Sequence, residues 1–501
     1  MHCENWSPKL LFWSGGVKDV LSGLRGFLRP VFPVAWVGIA LICVWEIQTH
    51  LSDTTLALTA GALLGLSLVG SRYVLGLGFT AAPTLYLVVL GLFHLGLVVP
   101  WALGVYDIGR IPWFNPHGLS RALELIIYSI LCFQAGLFIA FATSRRESEC
   151  LQRGGSDTED VRVFSAGCLL LIAGVWMFVT GLIQLDPVGY YRITYSEIFR
   201  LQAESDPRFF GSGITVAFIG SYLAAAGASQ RQLRWAFVGT GLWISMLFYL
   251  GFRGPALIAG LVVYAVALRK EASIPKWLPA LTVAFLMVAI PIELKVREDP
   301  LNDRVAPSFA GMNLLDGPAE MGTSIRPLVE TADLIGPGGY RLGKTYLVGL
   351  EGVLPNLSLR WQPGPNESIE ELPPSHWITA VTEPWTYKNY GGIGFSAVAE
   401  PYMNFGTPGV IAFFILLGYL LAQLEFVSIR SSYGLAVWAL VLGSLLWTTR
   451  NDFSSFFRPA VWGLACLGLV RLSSLGYSAI SRTTRRGERA AKSLKSELRL
   501  G

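Results

Sequence analysis

The chain has 501 residues, 52% of them hydrophobic and only 15% charged, with 16 Trp, 28 Phe and a formal net charge of +5. A water-soluble protein of this length carries roughly 25% charged residues, so lipid is the main solvent and a soluble enzyme is excluded. The small excess of cations is scattered along the chain and gives no footing for a nucleic-acid partner.

A basic amphiphilic lead with Lys9, Lys18, Arg25 and Arg29 comes first and lacks the form of a cleavable signal peptide. Long apolar runs follow at 31–48, 54–70, 80–102, 119–142, 163–184, 211–228, 235–252, 255–269, 277–293, 407–427, 435–449 and 457–476. With about 20 apolar residues per crossing, these predict an all-α polytopic membrane protein of about 12 transmembrane helices. The stretch from Trp235 to Leu268 is too long for one crossing, and its interruption at Phe252-Arg253-Gly254-Pro255 predicts a tight turn between two helices. The chain then divides into spans one to nine over 1–293, a large outer loop domain over 294–406, spans ten to twelve over 407–476 and a basic tail over 477–501. The outer segment is rich in Pro, Gly, Trp and acids, and a loop of that length in a polytopic protein is unlike an idle connection.

Orientation follows from the bias of Lys and Arg towards the cytoplasm. Arg72, Arg145, Arg146, Arg162, Arg231, Arg234, Arg269, Lys270, Arg430 and the tail cations fall on one side if both termini are cytoplasmic. The segment 294–406 then faces outward, away from the cytoplasm. Of the 6 Cys, none forms a CxxC pair, so neither a disulfide framework nor a thiolate metal site is indicated. No HExxH, no DxD and no dense acidic cluster occurs, so no bound metal and no other cofactor is expected.

Cations on the outward side run against that bias. Arg192, Arg253, Arg297, Arg326 and Arg450 lie there, several at span ends. A guanidinium fork stays charged and grips phosphate oxygens in pairs, so these five are candidates for holding a lipid-linked diphosphate at the outer leaflet. Each has a plainer reading as a snorkelling or ion-paired arginine. A second constellation spans Glu383 to Gly406 and mixes aromatics, acids and glycines just ahead of the tenth apolar run. Trp385, Tyr390 and Tyr402, with Lys388 and Asn404, are candidates for holding sugar, whose C–H faces stack on rings while its hydroxyls seek polar partners. Glu400 is the first candidate for a catalytic base, followed by Glu383 and His376, the last being the only histidine of the outer segment. Gly391, Gly392 and Gly394 do not form a nucleotide fingerprint, because no strand precedes them. His94, inside an apolar run, is read as a helix-packing hydrogen bonder.

Several runs carry a family resemblance: Thr80 to Leu87 with Leu92-Phe93-His94-Leu95-Gly96, then Gly251 to Pro255, Gly343-Lys344-Thr345-Tyr346 with Leu354-Pro355-Asn356, and Gly392 to Gly406. In order and spacing these resemble the Wzy-type O-antigen and oligosaccharide repeat-unit polymerases of bacteria. The resemblance implies a glycosyltransferase-C-like membrane fold in the inner membrane. It also implies that undecaprenyl-diphosphate-linked oligosaccharide serves as both donor and acceptor, that no nucleotide sugar or metal is used, and that a chain-length regulator is a possible partner. An O-antigen ligase of the same fold is the alternative, with a histidine base in the outer loop. A transporter or flippase for the same lipid is the other, though it would have no need of an outer catalytic domain.

Overall fold

The computed structural model describes residues 15–48, 51–107, 118–144, 160–188, 197–198, 201, 210–270, 315–336, 339–353, 369–388 and 391–473, without the side chains of 15–30, 48 and 370. The apolar run at 277–293, the basic tail, and Arg192, Arg297 and Tyr390 lie outside the described residues. Among the described residues every regular element is helical.

The membrane part begins with α1 (Gly15–Gln48), α2 (Asp53–Tyr73), α3 (Ala82–Leu95), α4 (Val98–Ala102), α5 (Leu119–Thr143) and α6 (Val161–Leu185). It continues with α7 (Phe210–Gly227), α8 (Gln230–Tyr249) and α9 (Arg253–Arg269). The outer segment supplies α10 (Asp316–Gly322), α11 (Arg326–Leu334), α12 (Lys344–Glu351), α13 (Pro374–Thr382) and α14 (Pro384–Lys388). Last come α15 (Ala399–Ser428), α16 (Ser432–Thr448) and α17 (Ser454–Ser473). Within the described residues, α2, α5, α6, α7, α15 and α17 are long and apolar enough to cross a membrane, and shorter apolar helices occupy Val31–Ile47, Ala82–Leu95 and Ser432–Thr448. The protein is thus a polytopic α-helical membrane protein.

Local signals set the helix starts. Ser52 caps α2 through Thr55 N–H, Asp160 caps α6 through Arg162 and Val163 N–H, and Ser229 with Gln232 forms a capping box on α8. One apolar run is not a single helix, and one helix is longer than its run and kinked. The run at 80–102 breaks after Leu95 because α10 packs backbone to backbone against the break: a Cβ on Gly322 would lie 2.1 Å from Leu97 N. Helix α15 is interrupted at Gly406 (φ 68°, ψ −159°), just ahead of Pro408. The predicted turn between α8 and α9 is present, closed by Phe252 N–H to Leu247 O at 2.8 Å.

Lipid gives no hydrophobic push between helices, so close backbone approach does the work. In α6 and α7 glycines recur every seventh residue, at 167, 174 and 181 and at 213, 220 and 227. A Cβ on Gly174 would sit 2.2 Å from Ala217 N, and one on Gly220 would sit 2.2 Å from Leu171 N. The same device joins α5 to α15, where a Cβ on Gly136 would meet Ile415 O at 2.1 Å.

Polar ties collect at the two ends of the bundle. At one end Arg269 pairs with Glu425, donates to Thr80 O and Ser428 Oγ, and lies over the Trp438 ring, while Lys270 Nζ donates to Ala228 O. At the opposite end Arg121 donates to Thr407 Oγ1, the outer helices α10, α11 and α12 pack over α3, α5 and α15, and α13 and α14 follow on top of α11. His94 bridges inside the core as expected, its Nε2 2.7 Å from Ser396 Oγ and its Nδ1 3.1 Å from Leu90 O.

Candidate active site

The turn between α16 and α17 organises the outer end. The Thr448 and Thr449 hydroxyls bond back to Leu445 and Leu446 carbonyls and finish α16. Asp452, buried, lies just ahead of α17: its Oδ1 accepts from Ser454 Oγ, and the positive end of the helix favours its charge. Its other oxygen accepts from the Ser375 N–H at 3.0 Å and the Ser375 hydroxyl at 2.6 Å, which ties the turn to the start of α13. Arg450 O accepts from Phe395 N–H at 2.9 Å. Gly394 (φ 77°) must be glycine at that crossing, since a Cβ there would lie 2.7 Å from Arg450 O. The glycines that form no nucleotide motif therefore include one with a packing role.

Glu400 is fully buried one step from this turn. Its Oε2 accepts from Phe453 N–H at 2.7 Å, and its Oε1 accepts from Thr345 Oγ1 at 2.7 Å. Asn404, one helical turn on, donates to Thr345 Oγ1 (2.6 Å) and to Glu400 O (2.9 Å), and accepts from Gly343 N–H (2.8 Å). The carboxylate thereby joins α12, α15 and the Asp452 turn. Beside it, burial and the neighbouring Glu400 charge push the Tyr346 phenol well above its ordinary range.

A cavity of about 470 Å³ opens next to the turn. Its inner walls are Ile214, Phe218 and Tyr222 of α7, Ile258 of α9 and Trp447 of α16. Ser375, His376, Asn451, Asp452 and Arg458 line it as well. The first three turns of α7, roughly 16 Å of helix, border it. It therefore combines an apolar shaft with titratable groups from the turn, α13 and α17.

The candidates from the sequence divide on this geometry. His376 lines the cavity, with its ring edge-on to Tyr387 at 6.3 Å. Arg253 is buried as the first residue of α9, between the lining residues Phe252 and Pro255. Arg450 stands beside Asn451, but its guanidinium lies over the Phe93 ring, towards α3. Arg326 and Glu383 are paired with each other at 2.6 Å, and Arg326 also reaches Glu330 at 3.5 Å. Burial alone would raise the Glu383 carboxyl, but the Thr386 hydroxyl and the Arg326 charge outweigh it and hold it below the usual carboxylate range. Tyr402 is buried under the Arg121 guanidinium and donates to Ile335 O, and Asn404 is spent on the protein itself. Trp385 and Lys388 are exposed on α14, Trp385 by 77%.

Five further residues belong to this region: Asp452, Ser375, Arg458, Trp447 and Thr345. Arg458 carried a readable signal, since an arginine one residue inside an apolar run on the outward side meets the criterion that singled out Arg450. Thr345 and Ser375 carried none. Among the described residues no three His, Cys, Asp or Glu side chains are grouped to hold a metal ion.

The family model described as O-antigen polysaccharide polymerase Wzy matches residues 39–475 of the chain. No curated protein and no solved structure matches it. With most of its length aligned, the chain belongs to the Wzy family of O-antigen polysaccharide polymerases.

Proposed function

We propose that this membrane glycosyltransferase joins oligosaccharide repeat units carried on undecaprenyl diphosphate, at the periplasmic face of the bacterial inner membrane. The observation that carries the reading is the cavity, whose apolar shaft and charged, hydroxyl-bearing groups suit a ligand with a lipid tail and an anionic head. In the reaction a hydroxyl of one lipid-linked unit attacks the anomeric carbon of the growing chain. A glycosidic C–O bond forms, the bond from that carbon to the diphosphate oxygen breaks, and the hydroxyl proton passes to a base. The diphosphate leaves with the bonding electron pair, so cations must receive it. The donor is already activated by its diphosphate, and the step uses neither metal nor nucleotide sugar.

His376 is the base in this scheme, with Asp452 beside it stabilising the imidazolium that forms. Arg458 and Arg253 receive the diphosphate. Glu400 acts as a positioning residue, because both of its oxygens are occupied and one of them holds the peptide after Asp452. Glu383 and Arg326 neutralise each other and serve to latch α11 to the start of α14.

The test is turnover by purified protein in liposomes with lipid-linked repeat units. His376→Asn is expected to lower kcat by about 10²–10⁴-fold, the usual share of a general base, with the protein still inserted. Unchanged chain growth in that variant removes His376 from the chemistry. A ligase would share the cavity histidine, and a deletion strain separates the two: a single repeat unit capped on lipid A marks a polymerase, and no unit at all marks a ligase or a flippase.

A further inference from the structure

Helix α12 has two unlike faces. Inward, Thr345 bonds Glu400, and Gly349 lies against α17, where a Cβ would meet the Phe457 ring at 2.9 Å. Outward, Leu347 and Leu350 are 60% and 47% exposed, next to Leu342 at 76% and Phe405 at 45%. Phe405 and the Leu342–Gly343 loop touch, since a Cβ on Gly343 would be 3.3 Å from the Phe405 ring. Leu342 is the only non-glycine with left-handed backbone among the described residues, at φ 49°. Its N–H is bonded to Asn404 O, and its neighbours are bonded to Met403 O and Asn404 Oδ1. A strained residue is thus held so as to project an apolar side chain outward, which water would penalise.

The ledge is continuous with the flanks that lipid must cover. On α15 Ile411, Leu416 and Leu420 are exposed beyond Phe405, and on α17 Val461 and Leu464 are exposed beyond Phe457. The exposed side chains Lys344 and Glu351 stand at the two ends of α12. We infer that the Leu342, Leu347, Leu350 and Phe405 ledge is embedded among the acyl chains of the adjacent leaflet, making α12 an interfacial helix. Two groups of the site depend on that helix, because Gly352 O at its end accepts from Arg458 Nε at 2.9 Å and Thr345 at its start holds Glu400. Lipid contact therefore fixes the height of the cavity mouth relative to the bilayer surface. The inference needs only the membrane spans, so it stands or falls separately from the polymerase chemistry.

The experiment uses the full chain with photoreactive p-benzoylphenylalanine in place of Leu347, reconstituted in vesicles of phosphatidylethanolamine and phosphatidylglycerol and irradiated. Leu350 is replaced in parallel, Leu416 on α15 reports lipid contact, and Trp385 on α14 reports its absence. A phospholipid adduct at Leu347 or Leu350 within about twofold of the yield at Leu416, and about tenfold above Trp385, is the expected result. Yields at the Trp385 level while Leu416 reacts overturn the inference. So does a covalent dimer at those positions, which would mark the ledge as an interface between copies.

Discussion

Glu400 and Glu383 are both acids of the outer segment, yet their surroundings give them different physics. Glu400 is wholly buried with one donor on each oxygen, while Glu383 is partly open and matched by a cation. Glu400→Gln presents an NH₂ group where one of those donors now points, leaving a buried donor unsatisfied. The expected stability loss is about 1–3 kcal/mol, accompanied by loss of chain growth; thermal unfolding in detergent and the liposome assay read the two effects. Glu383→Gln should keep chain growth within a few-fold, because Glu383 lines no part of the cavity. The pH dependence of the latch follows from the sign of its shift. A carboxyl held below its unfolded value, about 4.3, contributes stability in full above that value and loses it as pH falls through the lower folded one. Hydrogen exchange over 383–388 should therefore stay protected from pH 7 to about 5 and rise only below about 4. Early loss of protection near pH 6 would contradict the pairing.

At the scale of elements, the α6–α7 pair depends on bare backbone. Gly174→Val puts three carbons where Ala217 N lies 2.2 Å from the position of the first, so the helices must separate along their length. Overpacking of this kind costs about 1–3 kcal/mol, sometimes more, and the α7 wall of the cavity moves with it. Thermal aggregation in detergent is the measurement, and Gly211→Ala, where a Cβ meets open space, is the control. The heptad spacing of these glycines is visible in the sequence, but their pairing is not, because which two helices face each other is a property of the assembled bundle. The break in the third apolar run is similar: nothing near Gly96 announces that α10, more than two hundred residues later, packs against it.

For the whole molecule, the two polar ends observed in the bundle allow a direct test of sidedness. If the end carrying Arg269, Lys270 and Arg430 is cytoplasmic and α14 is periplasmic, a cysteine at Trp385 in a cysteine-free background reacts with a membrane-impermeant maleimide in intact spheroplasts. A cysteine at Arg430 reacts only after lysis. The reverse pattern would invert the topology and put the cavity on the wrong side for a periplasmic reaction.

The polytopic α-helical class was determined by the sequence alone, because the cost of leaving apolar surface in water adds residue by residue along a run. The same is true of the break between α8 and α9, which proline and run length announce locally, although the turn itself falls at Leu250 to Phe252, just ahead of the predicted residues. Family membership was legible too, through the order of short motifs rather than any one of them. The candidate site was legible only in part. His376 and Arg253 could be proposed by residue type and position. The meeting of Ser375 with Asp452, or of Thr345 with Glu400, joins residues more than fifty positions apart. Whether an arginine such as Arg326 is open to a ligand or spent on a carboxylate likewise depends on which side chain lies within a few ångströms. Charge and run length act locally and sum along the chain, whereas pairing and cavity shape exist only once the helices have packed, and that is why tertiary structure alone decided them.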